Sequence, residues 1–177
     1  MKFKKTKLKG LYIIEPEPRI DERGYLMRTF CKEELNKYGL QFTIVQVNQT
    51  LTKKKGTVRG MHFQTPPKAE DKIVQCLHGA IYDVAIDLRA DSPTYGKWVA
   101  EELNEDNKKM FFIPKGFAHG FQSLTNNCEV QYFMSEFYSP EHASGVRWDD
   151  SIFNIKWPIK NLSLSEKDKN WPLAKQK

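Results

Sequence analysis

Apolar residues in this chain recur mostly at every second position or in short unbroken runs, the pattern of half-buried and fully buried strands rather than of helices. Phe42–Thr50 (FTIVQVNQT) and Thr57–Gln64 (TVRGMHFQ) are rich in β-branched and aromatic residues. A lysine-rich turn ending at Gly56 separates them, so they are expected to be neighbouring strands. Lys72–Leu77 and Ala80–Leu88 flank the dipeptide His78-Gly79, the spacing of a β-hairpin. Strand-like runs continue in Lys97–Leu103, Lys108–Pro114, Gly120–Leu124 and Glu129–Phe137, with turns at Asn104–Asn107 and Thr125–Asn127. Short strands at this rhythm predict an all-β sandwich or barrel. One brief helix is expected in Cys31–Gly39, where Leu35 and Tyr38 share a face and Gly39 supplies the stop.

In such a sheet alternate residues point inward, so the phase of each polar residue matters. Alternation in Glu129–Met134 places Tyr132 with Val130 and Met134, facing the core or a cavity in it. Alternation in Val58–Gln64 places His62 with Val58 and Gly60 but turns Arg59 to the opposite face. Bringing Arg59 and His62 into one pocket therefore requires a bulge or kink at Gly60, or a role for Arg59 in a neighbouring subunit.

With 177 residues and 20.7 kDa, the chain is expected to form a single domain over 1–177, with a short irregular or helical C-terminal segment. No run approaches the roughly 20 apolar residues that cross a bilayer, and the basic start MKFKKTKLKG lacks the apolar stretch of a signal peptide. A cytoplasmic protein with no membrane partner is expected. Cys31, Cys76 and Cys128 are odd in number and widely spaced, which suggests neither a disulfide framework nor a CxxC metal site. The formal charge of +6 attracts anions. Nucleic acid is disfavoured as a partner, because the basic residues are not interleaved with aromatics in a recognisable module.

Among four histidines, His62 in RGMHFQ admits three readings: a hydrogen-bonded core residue, a metal ligand or a base. Ile113–Gly120 (IPKGFAHG) has the Pro-x-Gly-x-x-His spacing of half a cupin metal motif, with His119 as the possible ligand. A metal-dependent cupin needs more ligands than His62 and His119 supply, so no metal and no other cofactor is expected. The acid–base reading pairs His62 with Tyr132, because a histidine side chain can accept a proton near neutrality and a tyrosine of ordinary pKa keeps its own at pH 7.

The motifs DERGYLMRTF, QVNQT, RGMHFQ, IYDVAIDLRADSPTYGKW, FFIPKGFAHGF, FYSPEH, GVRWDD, WP and LSEKD occupy most of the stretch from Asp21 to Asp168. In order and spacing the chain resembles the dTDP-4-dehydrorhamnose 3,5-epimerase family. The resemblance implies a jelly-roll β-sandwich of cupin type with a few short helices, working without metal and usually as a homodimer with exchanged or shared strands. It also implies a nucleotide-sugar substrate, a 4-keto-6-deoxy-hexose epimerised at C3, C5 or both through an enolate. By motif position it makes His62 the base, Asp168 its carboxylate partner, Tyr132 the opposing acid and Lys72 the cation that meets the enolate oxygen. Substrate contacts are implied for Arg23, Gln46, Asn48, Arg59, His119 and Tyr138. A jelly-roll protein that binds nucleotide sugars without catalysis is the competing reading.

Three features depart from the family pattern. Arg28 stands where a glutamate is usual, Ala143 and Ser144 replace a glutamate and an arginine after SPEH, and TPPKAED before Lys72 differs from the usual shorter polar loop. These bear on nucleotide and sugar choice more than on the reaction.

Overall fold

The structure is a computed structural model and describes residues 1–174. In chain order the strands are β1 (Lys2–Lys5), β2 (Tyr12–Glu15), β3 (Arg19–Asp21), β4 (Gly24–Leu26), β5 (Gln46–Thr52), β6 (Val58–Gln64) and β7 (Lys72–His78). They continue as β8 (Ala80–Asp87), β9 (Trp98–Asn104), β10 (Met110–Ile113), β11 (Phe117–Ser123), β12 (Cys128–Met134) and β13 (Ala143–Gly145). Helix α1 (Lys32–Lys37) precedes β5 and α2 (Glu166–Lys169) lies near the C-terminal end of the described chain. The expected helix is present, with Leu35 buried and Gly39 at φ +75° behind it. The N-terminal strands were not anticipated; β1 is a short lysine-rich edge, a composition that gives little strand signal.

Two antiparallel sheets stack as a jelly roll, one in the order β1-β2-β10-β7-β12-β5 and the other β13-β6-β11-β8-β9. Two expected pairings are absent. The runs around His78-Gly79 do not form a hairpin: β7 lies between β10 and β12 in one sheet, and β8 between β11 and β9 in the other. Gly79, at φ +74°, turns the chain from one layer to the other, and a Cβ there would come within 2.4 Å of Thr125 Oγ1. Likewise β5 and β6 are not neighbours but belong to opposite sheets. Local pattern fixes which side chains face inward but not which edge a strand finds.

Alternation explains why several strands are buried along their whole length. Val74, Ile81, Ala85, Phe111, Phe121 and Val130 fill the space between the sheets. The opposite faces are covered too: Ile73, Met110, Phe112 and Phe133 pack under the α1 region, and Met61, Val84, Ile86 and Ala118 pack under Val146, Phe153 and Ile155. Polar side chains on inward positions therefore have nowhere to go but the cavity between the layers.

Candidate active site

That cavity has two adjoining lobes of about 550 and 480 Å³, which share Asn48, Arg59, His62, Lys72, Met134 and Asp168. Both sheets contribute. His62 and Arg59 come from β6 and His119 from β11, whereas Lys72 comes from β7, Tyr132 from β12 and Asn48 from β5. His62 and Tyr132 thus enter the inner lobe from opposite layers.

A bulge resolves the phase of Arg59. β6 pairs with β11 through His62–His119 and Arg59–Phe121, so three steps along β6 match two along β11. The extra residue lies at Gly60-Met61, and Met61 packs outward while Arg59 and His62 both line the cavity. Gly60 sits at φ +144°, where a Cβ would be 2.5 Å from Gly120 Cα. Only glycine fits this close approach of two backbones. The Arg59 guanidinium is held by Thr52 Oγ1 (Nε, 3.0 Å) and the Leu51 carbonyl (Nη2, 3.2 Å) at the end of β5.

His62 Nε2 lies 2.6 Å from Asp168 Oδ1. Ser165 caps α2 by accepting from the Asp168 backbone N–H at 3.1 Å, which sets the carboxylate beside β6. Burial alone would raise the Asp168 carboxyl, but hydrogen bonding and charge from His62, with smaller contributions from Ser165 and Trp171, hold it below the usual carboxylate range. It is therefore ionised when His62 needs a counter-charge. The Tyr132 phenol is pushed the other way: burial raises it well above its ordinary value, so it is a proton donor throughout the neutral range.

Lys72 Nζ pairs with Glu70 Oε1 at 2.9 Å, both side chains more than nine-tenths buried. His119 is also buried; its Nε2 lies 2.7 Å from Asp83 Oδ1, and its ring stands edge-on to Tyr132 at 6.1 Å. Burial raises the Asp83 carboxyl despite the opposing influence of His119 and Lys72. Gln46 Nε2 donates to Asn48 Oδ1 at 3.0 Å, while Gln46 Oε1 accepts the Tyr138 backbone N–H at 3.1 Å, which places Tyr138 on the outer lobe with its ring half-exposed.

Arg23 is elsewhere. It lies at the tip of the β3–β4 hairpin, exposed and paired with Asp21, and lines neither lobe of this cavity. Arg28 is also remote, paired with Glu34 near the N-terminus, whereas the other departures reach the outer lobe, through Ala143, Ser144 and, from the TPPKAED loop, Glu70. Sequence reading missed Glu70, Asp83 and Trp171. Inward phase on β8 pointed to Asp83, but Glu70 and Trp171 sit in irregular segments where no periodicity operates. Among the described residues no group of three or more His, Cys, Asp or Glu side chains is placed to hold a metal ion, and no helix is long and apolar enough to cross a membrane.

The cleft thus sets a histidine–carboxylate pair on one layer opposite a protonated phenol on the other, in a jelly roll whose class, by comparison with known proteins, is that of the sugar epimerases. More narrowly, the chain belongs to the dTDP-4-dehydrorhamnose 3,5-epimerase family, whose pattern it matches over residues 5–176. It is 46% identical to the dTDP-4-dehydrorhamnose 3,5-epimerase of Methanothermobacter thermautotrophicus, with 96% of this chain and 92% of that protein covered. Among solved structures it is similar to the Bacillus anthracis enzyme with TDP and pyrophosphate bound (TM-score 0.95, 41% identity, 98% and 99% of the two chains). It is also similar to the Legionella pneumophila dTDP-6-deoxy-D-glucose-3,5-epimerase in complex with dTDP-4-keto-L-rhamnose (TM-score 0.92, 36% identity, 97% and 92%).

Proposed function

We propose that this isomerase converts dTDP-4-dehydro-6-deoxyglucose to dTDP-4-dehydrorhamnose by inverting C3 and C5. The observation that carries the reading is the His62–Asp168 pair facing Tyr132 across one cavity. The C3 and C5 protons flank the C4 ketone and are acidic because the carbanion is delocalised onto oxygen. His62 removes the proton, and Asp168 orients the ring and balances the imidazolium. Lys72 offers preorganised positive charge to the enolate oxygen. Tyr132 returns a proton from the other face, which inverts the carbon; water then reprotonates the phenolate and takes up the proton held by His62, which resets the pair for the second carbon. With Nε2 engaged by Asp168, the base atom is Nδ1.

Gln46, Asn48, Arg59, His119 and Tyr138 serve the substrate, with the Arg59 fork suited to diphosphate oxygens. We infer a homodimer in which the β3–β4 hairpin brings Arg23 to the partner's site. Ile20 (81% exposed) and Leu26 (74% exposed) on that hairpin support this, since apolar side chains so open to water gain from a cover. We place the protein in the cytoplasm, where its three free cysteines stay reduced.

Incubation with dTDP-4-keto-6-deoxyglucose in deuterated water, followed by NMR at C3 and C5, tests the reading. Deuterium at both carbons with inversion is expected. Exchange at one carbon narrows the activity to a monoepimerase, and none at either overturns it.

A further inference from the structure

Trp171, just beyond α2, has no part in the reaction as described, yet it touches the same carboxylate as the base. Its Nε1 donates to Asp168 Oδ1 at 3.3 Å, the oxygen that lies 2.6 Å from His62 Nε2. Its ring stands edge-on to the His62 imidazole, with centroids 5.9 Å apart, and walls the outer lobe. Two neighbours fix the indole. Gly145 lies beneath it, where a Cβ would approach the ring carbons to 2.6 Å, and Gly145 is the β13 residue paired with His62. The Lys167 ammonium lies 5.3 Å from the ring centroid. β13 and α2 therefore hold one indole N–H against the oxygen that His62 uses.

We propose that Trp171 is a positioning residue that tunes the His62–Asp168 pair, its indole N–H sharing the Asp168 acceptor and limiting how tightly the carboxylate holds the imidazolium. This rests on the assignment of His62 as base. A carboxylate oxygen that already accepts one hydrogen bond is a weaker acceptor for a second, so the protonated ring gains less from it. The consequence is a His62 that gives up its proton more readily and stays in the basic form at lower pH. The other charged or titratable groups facing this cavity are Arg59 on β6, Glu70 just before β7, Lys72 at its start, the Asp83–His119 pair, Tyr132 on β12, Tyr138 beyond β12 and Lys167 on α2. Of these only Lys167, whose ammonium stands over the Trp171 ring, is touched by changing Trp171, and an aromatic replacement keeps a ring beneath it.

The test is Trp171→Phe, which keeps an aromatic ring and removes the N–H. Two quantities are read: the NMR titration midpoint of the His62 imidazole, identified by its disappearance in His62→Asn, and the acid limb of kcat/KM. Both are expected to move to higher pH by about half a unit, the order expected of one long hydrogen bond. Midpoints within about 0.1 unit of the unsubstituted protein would overturn the proposal. Should the Phe variant not fold, Trp171→Leu removes the same donor. The imidazole titration does not depend on turnover, so a shifted midpoint in a protein that performs no epimerisation would uphold the contact and sink the functional reading. Epimerisation with an unmoved midpoint would do the reverse.

Discussion

His62 and Asp168 meet at 2.6 Å although 106 residues separate them in the chain. The contact joins the middle of one strand to a four-residue helix near the C-terminus, and Ser165 capping that helix fixes the carboxylate's approach.

Replacing His62 by Asn keeps a hydrogen-bonding side chain and removes the base. Deuterium incorporation at C3 and C5 should fall by at least about 10²- to 10⁴-fold, the usual contribution of a positioned acid or base. Binding of dTDP, measured by calorimetry, should survive within a few-fold.

Tyr132→Phe separates abstraction from inversion. With His62 intact, a proton can leave and a deuteron return on the same face, so exchange without inversion is expected. An NMR time course that follows deuterium content and the stereochemistry of each carbon checks this, and full inversion in the variant would remove Tyr132 as the acid.

Gly60→Ala probes the bulge. The added Cβ meets the Gly120 backbone at 2.5 Å with φ at +144°, so the two strands must part. A loss of about 2–4 kcal/mol is expected in urea unfolding, from strain and overpacking combined. Activity should fall with it, because the bulge is what turns Arg59 and His62 the same way.

Asp87 sets an acid limit to stability. Burial would raise its carboxyl, but hydrogen bonds from Arg89, Ser92 and Thr94 outweigh that and bring it down to about 2. The folded pKa lies below the unfolded one, so the stabilisation is present above about pH 4 and lost as pH falls through about 2. Asp87→Asn should therefore lose about 2 kcal/mol or more at pH 7 but far less relative to the unsubstituted protein near pH 2, by denaturant titration at both values.

Mixed dimers decide where Arg23 acts. A hybrid of one His62→Asn and one Arg23→Ala chain carries an intact site only if Arg23 crosses the interface, and the substrate KM of that site should then match the unsubstituted protein. A KM equal to that of the Arg23→Ala homodimer would place Arg23 in its own subunit.

Sequence alone determined the β-rich class, the inward phase of Tyr132 and, through a series of motifs, the family and the residues worth testing. Those follow from local chemistry: alternation depends on pleat geometry, and a motif reports a residue type and its spacing. Pairing was beyond its reach, as the absent hairpin at His78-Gly79 and the separated β5 and β6 show. A strand's neighbours are chosen by the packing of both layers at once, and no short window contains that information. The same holds for Arg59, whose direction turned on a one-residue bulge opposite Gly120, and for Glu70 and Trp171, which reach the cavity from irregular chain with no period to read. Tertiary structure alone decided that Asp168 would share one oxygen between His62 and Trp171, because that contact exists only once the C-terminal segment has docked on β6 and β13.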